Sequence, residues 1–401
     1  MTAAPVPRTR LTQPAAPAML AAAIVLVALN LRAPITSVPP LLVTIATELH
    51  LSGAAAGLLT ALPVLCMGIF APVAHAVAHA TGREAAIGWA LATLTLGTVV
   101  RLGSANPVLL YLGAFLAGVG IAIIGTLLPG VVKEHFTHRS GLVTGLYMAG
   151  MMVSASVASQ ATVPLARALG SWERALGVWA VLGVAALAVW LPVTAHARRQ
   201  ADAEPNGTRP RLPWRSRTAW LLALYLVCNS WEFYTQVTWI PATYELAGRS
   251  ASGAATLLTT FTVTQAVSGV LGPVLADRMH DLRVLLVPAV LLGGLGTAAI
   301  ALVPNLAPAL WMVVLGTGLG AGFAVGLVLL VLYAADPSAS ARLTAMAFLI
   351  SYSAASAGPV VFGWMHDLTA DMRVPWLLLV GVAVLQLAVV GRLCPRRARV
   401  G

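Results

Sequence analysis

Charge is scarce in this chain. Only 9% of its 401 residues are Asp, Glu, Lys or Arg, against about 25% in soluble domains. In their place, 59% of the residues are hydrophobic and the mean hydropathy is +0.87. A soluble fold of this length has no room for so much apolar surface. Acidic groups are the rarest, 13 against 24 basic ones. The net charge of +11 and pI near 10.6 would suggest nucleic acid in a soluble protein; here the basic residues must first be sorted by side of a membrane. Cysteine is limited to Cys66, Cys228 and Cys394, an odd set without metal-ligand spacing, which implies no disulfide framework, metal site or redox chemistry. Lysine is nearly absent, Lys133 standing alone among arginines, which reads as a coding bias. No G-x-x-x-x-G-K-S/T motif occurs, which argues against ATP hydrolysis, and the loops are too short to house an enzyme domain. No cofactor, enzymatic activity or nucleic-acid partner is implied.

What the chain does have is twelve apolar stretches, at roughly 16–45, 54–78, 85–103, 107–130, 140–165, 174–194, 217–241, 253–275, 284–303, 308–333, 342–363 and 375–393. Hydrocarbon about 30 Å thick needs roughly 20 apolar residues of helix, and only helices or closed barrels satisfy their backbone groups there. Basic residues test the count. With both termini in the cytoplasm, Arg101, Arg167, Arg174, Arg249 and Arg373 face outward, Arg32 lies inside the membrane, and every other Lys and Arg faces inward. An odd number of spans would put Arg396, Arg397 and Arg399 on the wrong side. The basic start followed by Ala18–Leu29 has the look of a signal peptide, but the segment stays apolar too long and eleven spans follow, so it is read as the first helix. The expected fold is an all-α membrane protein of 12 transmembrane helices in the cytoplasmic (inner) membrane.

A hydrophilic stretch with Pro205, Gly207, Pro210 and Pro213 divides the chain. It is read as a cytoplasmic linker, 196–216, between an amino-terminal six-helix bundle, 1–195, and a carboxyl-terminal one, 217–401. The halves echo each other: Gly68, Pro72 and Val73 recur as Gly269, Pro273 and Val274. That is the signature of a duplicated transporter whose bundles rock about a central cavity.

These residues also carry a resemblance. Asn30-Leu31-Arg32 followed by Ile35-Thr36-Ser37-Val38, then Gly57-Leu58-Leu59-Thr60-Ala61-Leu62-Pro63-Val64-Leu65-Cys66, resemble the cyanate and nitroimidazole transporter branch (CynX/NimT) of the major facilitator superfamily. Further matches are Leu127-Leu128-Pro129, Thr144-Gly145-Leu146-Tyr147, Phe233-Tyr234, Tyr352, Gly358-Pro359 and His366-Asp367, so both halves are covered. The resemblance implies two pseudo-symmetric bundles and a cyanate-like or nitroimidazole-like solute. Departures exist. The superfamily's cytoplasmic loop motif survives as Asp277-Arg278 but shrinks to Gly82 and Arg83 in the first half; these four are the candidate gating residues. A Gln that similar proteins carry in the eleventh span is Phe348 here, and a fourth-span Asn is Thr126. The fifth span also lacks the glycine-proline motif of drug antiporters.

Arg32 lies about 16 residues into the first span, near mid-depth at 1.5 Å per residue. A charge there costs at least about 2.5 kcal/mol and usually marks a pathway or binding site. Its guanidinium can hold two oxygens of a small anion; a structural ion pair or a snorkelling side chain is the alternative. Pro34 disturbs the turn, freeing carbonyls for solute or water, and Thr36 shares the face of Arg32. Glu232, about 15 residues into the seventh span, is the repeat-equivalent of Arg32. It is expected to face the same cavity, either taking up a coupling proton or pairing with Arg32. Asn229, Glu232, Phe233 and Gln236 share a helical face too polar for lipid. With Asn30, Tyr147, Tyr234 and Tyr352 they complete the expected substrate-binding set.

The leading reading is a monomeric secondary active transporter of a small polar or anionic solute, working by alternating access with a proton as a candidate coupling ion. Drug or metabolite efflux is the alternative, and a membrane sensor or scaffold without flux is an alternative of another class.

Overall fold

The computed structural model describes residues 17–136, 139–197, 212–279, 281–393 and 400. Most of the expected linker, and Arg8, Arg10, Arg396, Arg397 and Arg399, lie outside them. Helices account for the twelve passes in order. The first is broken into α1 (Pro17–Leu29), α2 (Ala33–Thr36) and α3 (Leu42–Glu48). The second is α4 (Gly53–Ile69) and α5 (Ala71–Thr81), bent by 57°. Then come α6 (Arg83–Val100), α7 (Pro107–His135), α8 (Ser140–Leu169), and the pair α9 (Trp172–Val178) and α10 (Ala180–Ala197). The second half holds α11 (Arg217–Leu246), α12 (Ala251–Ala276), α13 (Arg283–Leu302), α14 (Pro308–Leu332), the pair α15 (Pro337–Ala355) and α16 (Ala357–Thr369), and α17 (Arg373–Arg392).

Ten of these passes are long and apolar enough to cross a membrane alone, and the bent α4–α5 pair makes an eleventh. The twelfth, α11, falls short for a physical reason: its middle carries Asn229, Ser230, Glu232, Thr235, Gln236 and Thr238, every one of them buried. Such a helix is stable in a bilayer only when neighbouring helices cover it. Polar residues set the helix starts. Ser52, Ser171, Ser216, Ser250 and Asp336 each accept a hydrogen bond from a backbone N–H of the first turn, meeting donors that a helix cannot satisfy itself. Proline sets the breaks. Pro34 opens α2 and Pro72 opens α5, each at a place where an i−4 bond has been lost.

The sides of the bundle differ. We call the side where α1 begins and α17 ends the terminal side, and the other the distal side. One apolar core, including Leu42, Ile45, Leu59, Trp172, Trp239, Phe261, Phe362 and Trp376, joins both halves toward the distal side. A second core draws only on residues 20–193 and a third only on residues 219–400. The halves therefore share one hydrophobic interior distally and keep separate ones terminally.

Candidate functional site

The break in the first pass places Arg32. Asn30 N and Leu31 N bond to Val27 O and Ala28 O, tightening the last turn of α1 and releasing carbonyls farther back. Protein groups take several of the carbonyls around the break. The Asn30 amide donates to Leu26 O (2.9 Å) and Leu182 O (3.2 Å), Ser154 Oγ donates to Leu29 O, and Arg101 Nη1 donates to Pro34 O at 2.8 Å. Thr36 Oγ1 returns to Arg32 O at 3.1 Å. Asn30 thus packs helices together within its own half, and these carbonyls serve structure where solute or water was expected.

Arg32 itself is only partly buried. Its guanidinium lies within hydrogen-bonding reach of the Tyr234 hydroxyl and electrostatic reach of Tyr352, across the boundary between halves. No carboxylate among the described residues comes within ion-pair distance of it, and its Nε has no partner. Around it stands a run of aromatic rings. Tyr234 lies 4.9 Å from Phe233 and 6.1 Å from Tyr352, and Phe348 lies 5.4 Å from Tyr352. Met67 Sδ, from α4, accepts from the Tyr234 hydroxyl at 3.8 Å. Phe348, noted from sequence only as a departure, and Met67, not singled out there, thus belong to the site. Tyr147, two turns from Ser154 toward the terminal side, is buried in the apolar core of the first half, the one Met67 packs against.

The polar stripe of α11 points elsewhere. Asn229 Nδ2 donates to Leu319 O of α14 (3.4 Å), Gln236 Nε2 donates to Thr297 Oγ1 of α13 (3.0 Å), and Tyr225 on the same stripe bonds Gly322 O of α14 (2.7 Å). Glu232 lies among them, 1% exposed, with Tyr225 and Cys228 as its electrostatic neighbours. Its Oε1 is without a partner, and no ion pair joins it to Arg32. The stripe thus faces the inside of the carboxyl-terminal half, and the expected encounter of Arg32 with Glu232 is absent. Phe233, nominally on the stripe, turns toward α12, its ring tilted against Phe261 with centroids 6.1 Å apart.

Closure of the distal side is built from small residues and one carboxylate. Asp367, near the end of α16, accepts from Gly53 N (2.7 Å) and Ala54 N (3.1 Å), the first free N–H groups of α4 in the other half. Those donors carry the positive end of the helix dipole. A methyl group at Gly53 would stand 2.6 Å from Gly363 O, and one at Gly57 would overlap the Pro359 carbonyl, so α4 and α16 touch backbone to backbone. Thr60 meets Thr238 at 2.8 Å, and Ser159 and Gln160 of α8 bond Thr259 and Thr256 of α12. On the terminal side α5 packs on α6 and α7 of its own half. Asp367→Asn should weaken the distal seal by about 1 kcal/mol, the scale of a helix cap, raising the open population about fivefold. Faster thiol labelling of a cysteine placed at Thr60 would register it; an unchanged rate would remove Asp367 from the seal.

Among the described residues, no ion pair links the two pairs of candidate gating residues. Gly82 ends α5 at a φ of +87°, where glycine is the easy choice. Arg83 pairs with Glu134 at 2.6 Å beside a Glu84–His135 contact of 3.1 Å. Glu84, Glu134 and His135 bring their ligand atoms within 4.8 Å of one another, and these pairings account for the cluster without a metal. Asp277 and Arg278 are exposed at the end of α12.

The chain is similar to known proteins throughout. A family model described as Major Facilitator Superfamily matches residues 19–359. The 2-nitroimidazole transporter of Escherichia coli (strain K12) is 33% identical over 92% of this chain and 93% of its own length. The cyanate transport protein CynX of the same organism is 31% identical over 91% and 95%. Among solved structures, a bacterial homolog of the human lysosomal transporter Spinster, in an inward-facing and unoccupied conformation, superposes with a TM-score of 0.73 at 17% identity, covering 93% of this chain and 96% of that one.

Proposed function

We propose that this chain, which belongs to the Major Facilitator Superfamily, carries a small planar anionic or polar solute across the cytoplasmic membrane by alternating access, with Arg32 as its anchor. Membership makes it a multi-pass membrane transporter rather than an enzyme. One observation carries the finer reading: a guanidinium at mid-span, with no carboxylate partner among the described residues, stands beside aromatic rings of the opposite half. A fixed cation with open valence calls for an anionic or oxygen-bearing partner. Rings 5–6 Å apart suit a flat, electron-rich molecule. Cyanate, a linear anion, and 2-nitroimidazole, a planar ring, are the solutes in the relatives' names, and both are small. Two rigid halves, 1–195 and 217–401 joined by the 196–216 linker, would exchange a sealed distal side for a sealed terminal one. With the termini in the cytoplasm the present arrangement faces inward. Uptake of cyanate or 2-nitroimidazole by proteoliposomes holding the purified monomeric chain tests the reading; tight binding without flux overturns it.

Proton coupling through Glu232 belongs to the same proposal. A carboxyl sealed between α11 and α14, with no cation among the described residues within ion-pair distance, is a place where a change of charge would draw in water and displace α11, which carries Tyr234. Glu232→Gln, a neutral mimic, should abolish the dependence of accumulation on an imposed pH gradient and leave solute exchange within about threefold of wild type. Gradient-driven accumulation that persists in the variant removes Glu232 from coupling.

A further inference from the structure

A second guanidinium lies deeper than the first. Arg101 follows the last turn of α6 at the distal end of its pass and is 1% exposed. Its stem rests over α7, where a methyl group at Gly113 would stand 3.0 Å from Arg101 Cγ. Nη1 donates to Pro34 O, but Nε is buried without a partner, and no carboxylate among the described residues lies within ion-pair distance. Two more buried hydroxyls, near these groups along the chain, are unmet. Ser37 Oγ is one turn beyond Pro34, Ser104 Oγ is one turn beyond Arg101, both residues are wholly buried, and neither hydroxyl has a partner. Ser37 N bonds to Ala33 O and Ser104 N to Arg101 O, which fixes the backbone at both positions.

Arginine does not shed its proton to escape burial, and a buried cation without a counter-charge is among the costliest arrangements a protein can hold. Buried donors are almost always satisfied. A permanent positive charge with an unmet donor of its own, and unmet hydroxyls one turn along the chain from it and from its Pro34 acceptor, is short of one thing, a negatively charged acceptor. We propose that Arg101, Ser37 and Ser104 form a site for a small monovalent anion at the distal end of the amino-terminal half, separate from Arg32. The Arg101–Pro34 bond also makes the same guanidinium a brace for the segment that presents Arg32. The occupant is either a resident inorganic ion such as chloride or the transported anion at an outer station.

The test uses the full-length Arg32→Gln protein, so that failure of the anchor assigned above does not affect it. Chloride, nitrate and cyanate are each titrated against gluconate at constant ionic strength while thermal unfolding is followed. An occupied native site must raise the midpoint in a saturable way. The expected result is a saturable rise of a few degrees in Arg32→Gln, absent in Arg32→Gln/Arg101→Gln, with the half-saturating concentration raised about tenfold by Ser104→Ala. Saturation by chloride identifies a resident ion; saturation by cyanate alone identifies the transported class. No anion dependence, or equal dependence with Arg101→Gln, overturns the site. Should Arg101→Gln fail to fold, chloride-35 NMR line broadening by Arg32→Gln protein, diminished by Ser37→Ala and Ser104→Ala, supports it, and unbroadened lines overturn it.

Discussion

Arg32→Gln weakens binding of cyanate or 2-nitroimidazole by about 100-fold and abolishes uptake, while the protein folds with a melting temperature within a few degrees of wild type. The magnitude follows from what is removed. Hydrogen bonds to charged groups contribute about 1.5–3 kcal/mol each, so losing two from one guanidinium removes about 3 kcal/mol or more, which is roughly 150-fold in affinity. Stability is spared because the break around Arg32 is held by other groups: Asn30 on Leu26 and Leu182, Ser154 on Leu29, and Arg101 on Pro34. Arg32→Lys separates charge from geometry. It keeps the cation and loses the planar fork, so an intermediate loss of about tenfold is expected. Tyr352→Phe keeps the ring and should cost less than about threefold. Calorimetry on purified protein decides the matter, and binding by Arg32→Gln within threefold of wild type would mean that this arginine serves the scaffold alone.

Much of this arrangement is legible in the residues. Eleven of the twelve passes follow from apolar length, and the break at Arg32 follows from Pro34, because hydropathy and proline act locally. Facing is harder to read. Asn229, Glu232 and Gln236 do share a stripe, but a polar stripe in a membrane helix is satisfied equally by a cavity or by other helices, and here α13 and α14 satisfy it. Pseudo-symmetry placed Glu232 opposite Arg32 in depth; it says nothing of azimuth, and about 100° separates neighbouring side chains on a helix. Sequence sorts Arg101 by side of the membrane but not by burial; Gly113 on the next helix, lacking a side chain, lets its stem pack inward. Gly53, Gly57 and Gly363 signal close approach without naming the partner; only the fold brings α4 against α16.

That contact sets the last expectation, a block that acts on motion rather than on binding. Gly57→Leu should reduce uptake at least 100-fold while leaving solute affinity within about threefold, the reverse of Arg32→Gln in its effect on binding. At Gly57 the obstacle to a side chain is the Pro359 backbone, with the Val360 amide behind it, and neither can swing aside as a side chain would. Overpacking a tight interior costs about 1–3 kcal/mol even when neighbours relax. Levied on the distally sealed state alone, the upper figure shifts a two-state equilibrium about 150-fold toward the open one. Arg32 and the aromatic set lie nearer mid-membrane than this seam and remain free to bind. A cysteine at Thr60, sheltered against Thr238 when the seam is closed, should then label freely from the distal side. If Gly57→Leu transports within twofold of wild type and Thr60 stays shielded, α4 and α16 do not part during the cycle, and the distal seal must open along the α8–α12 contact instead.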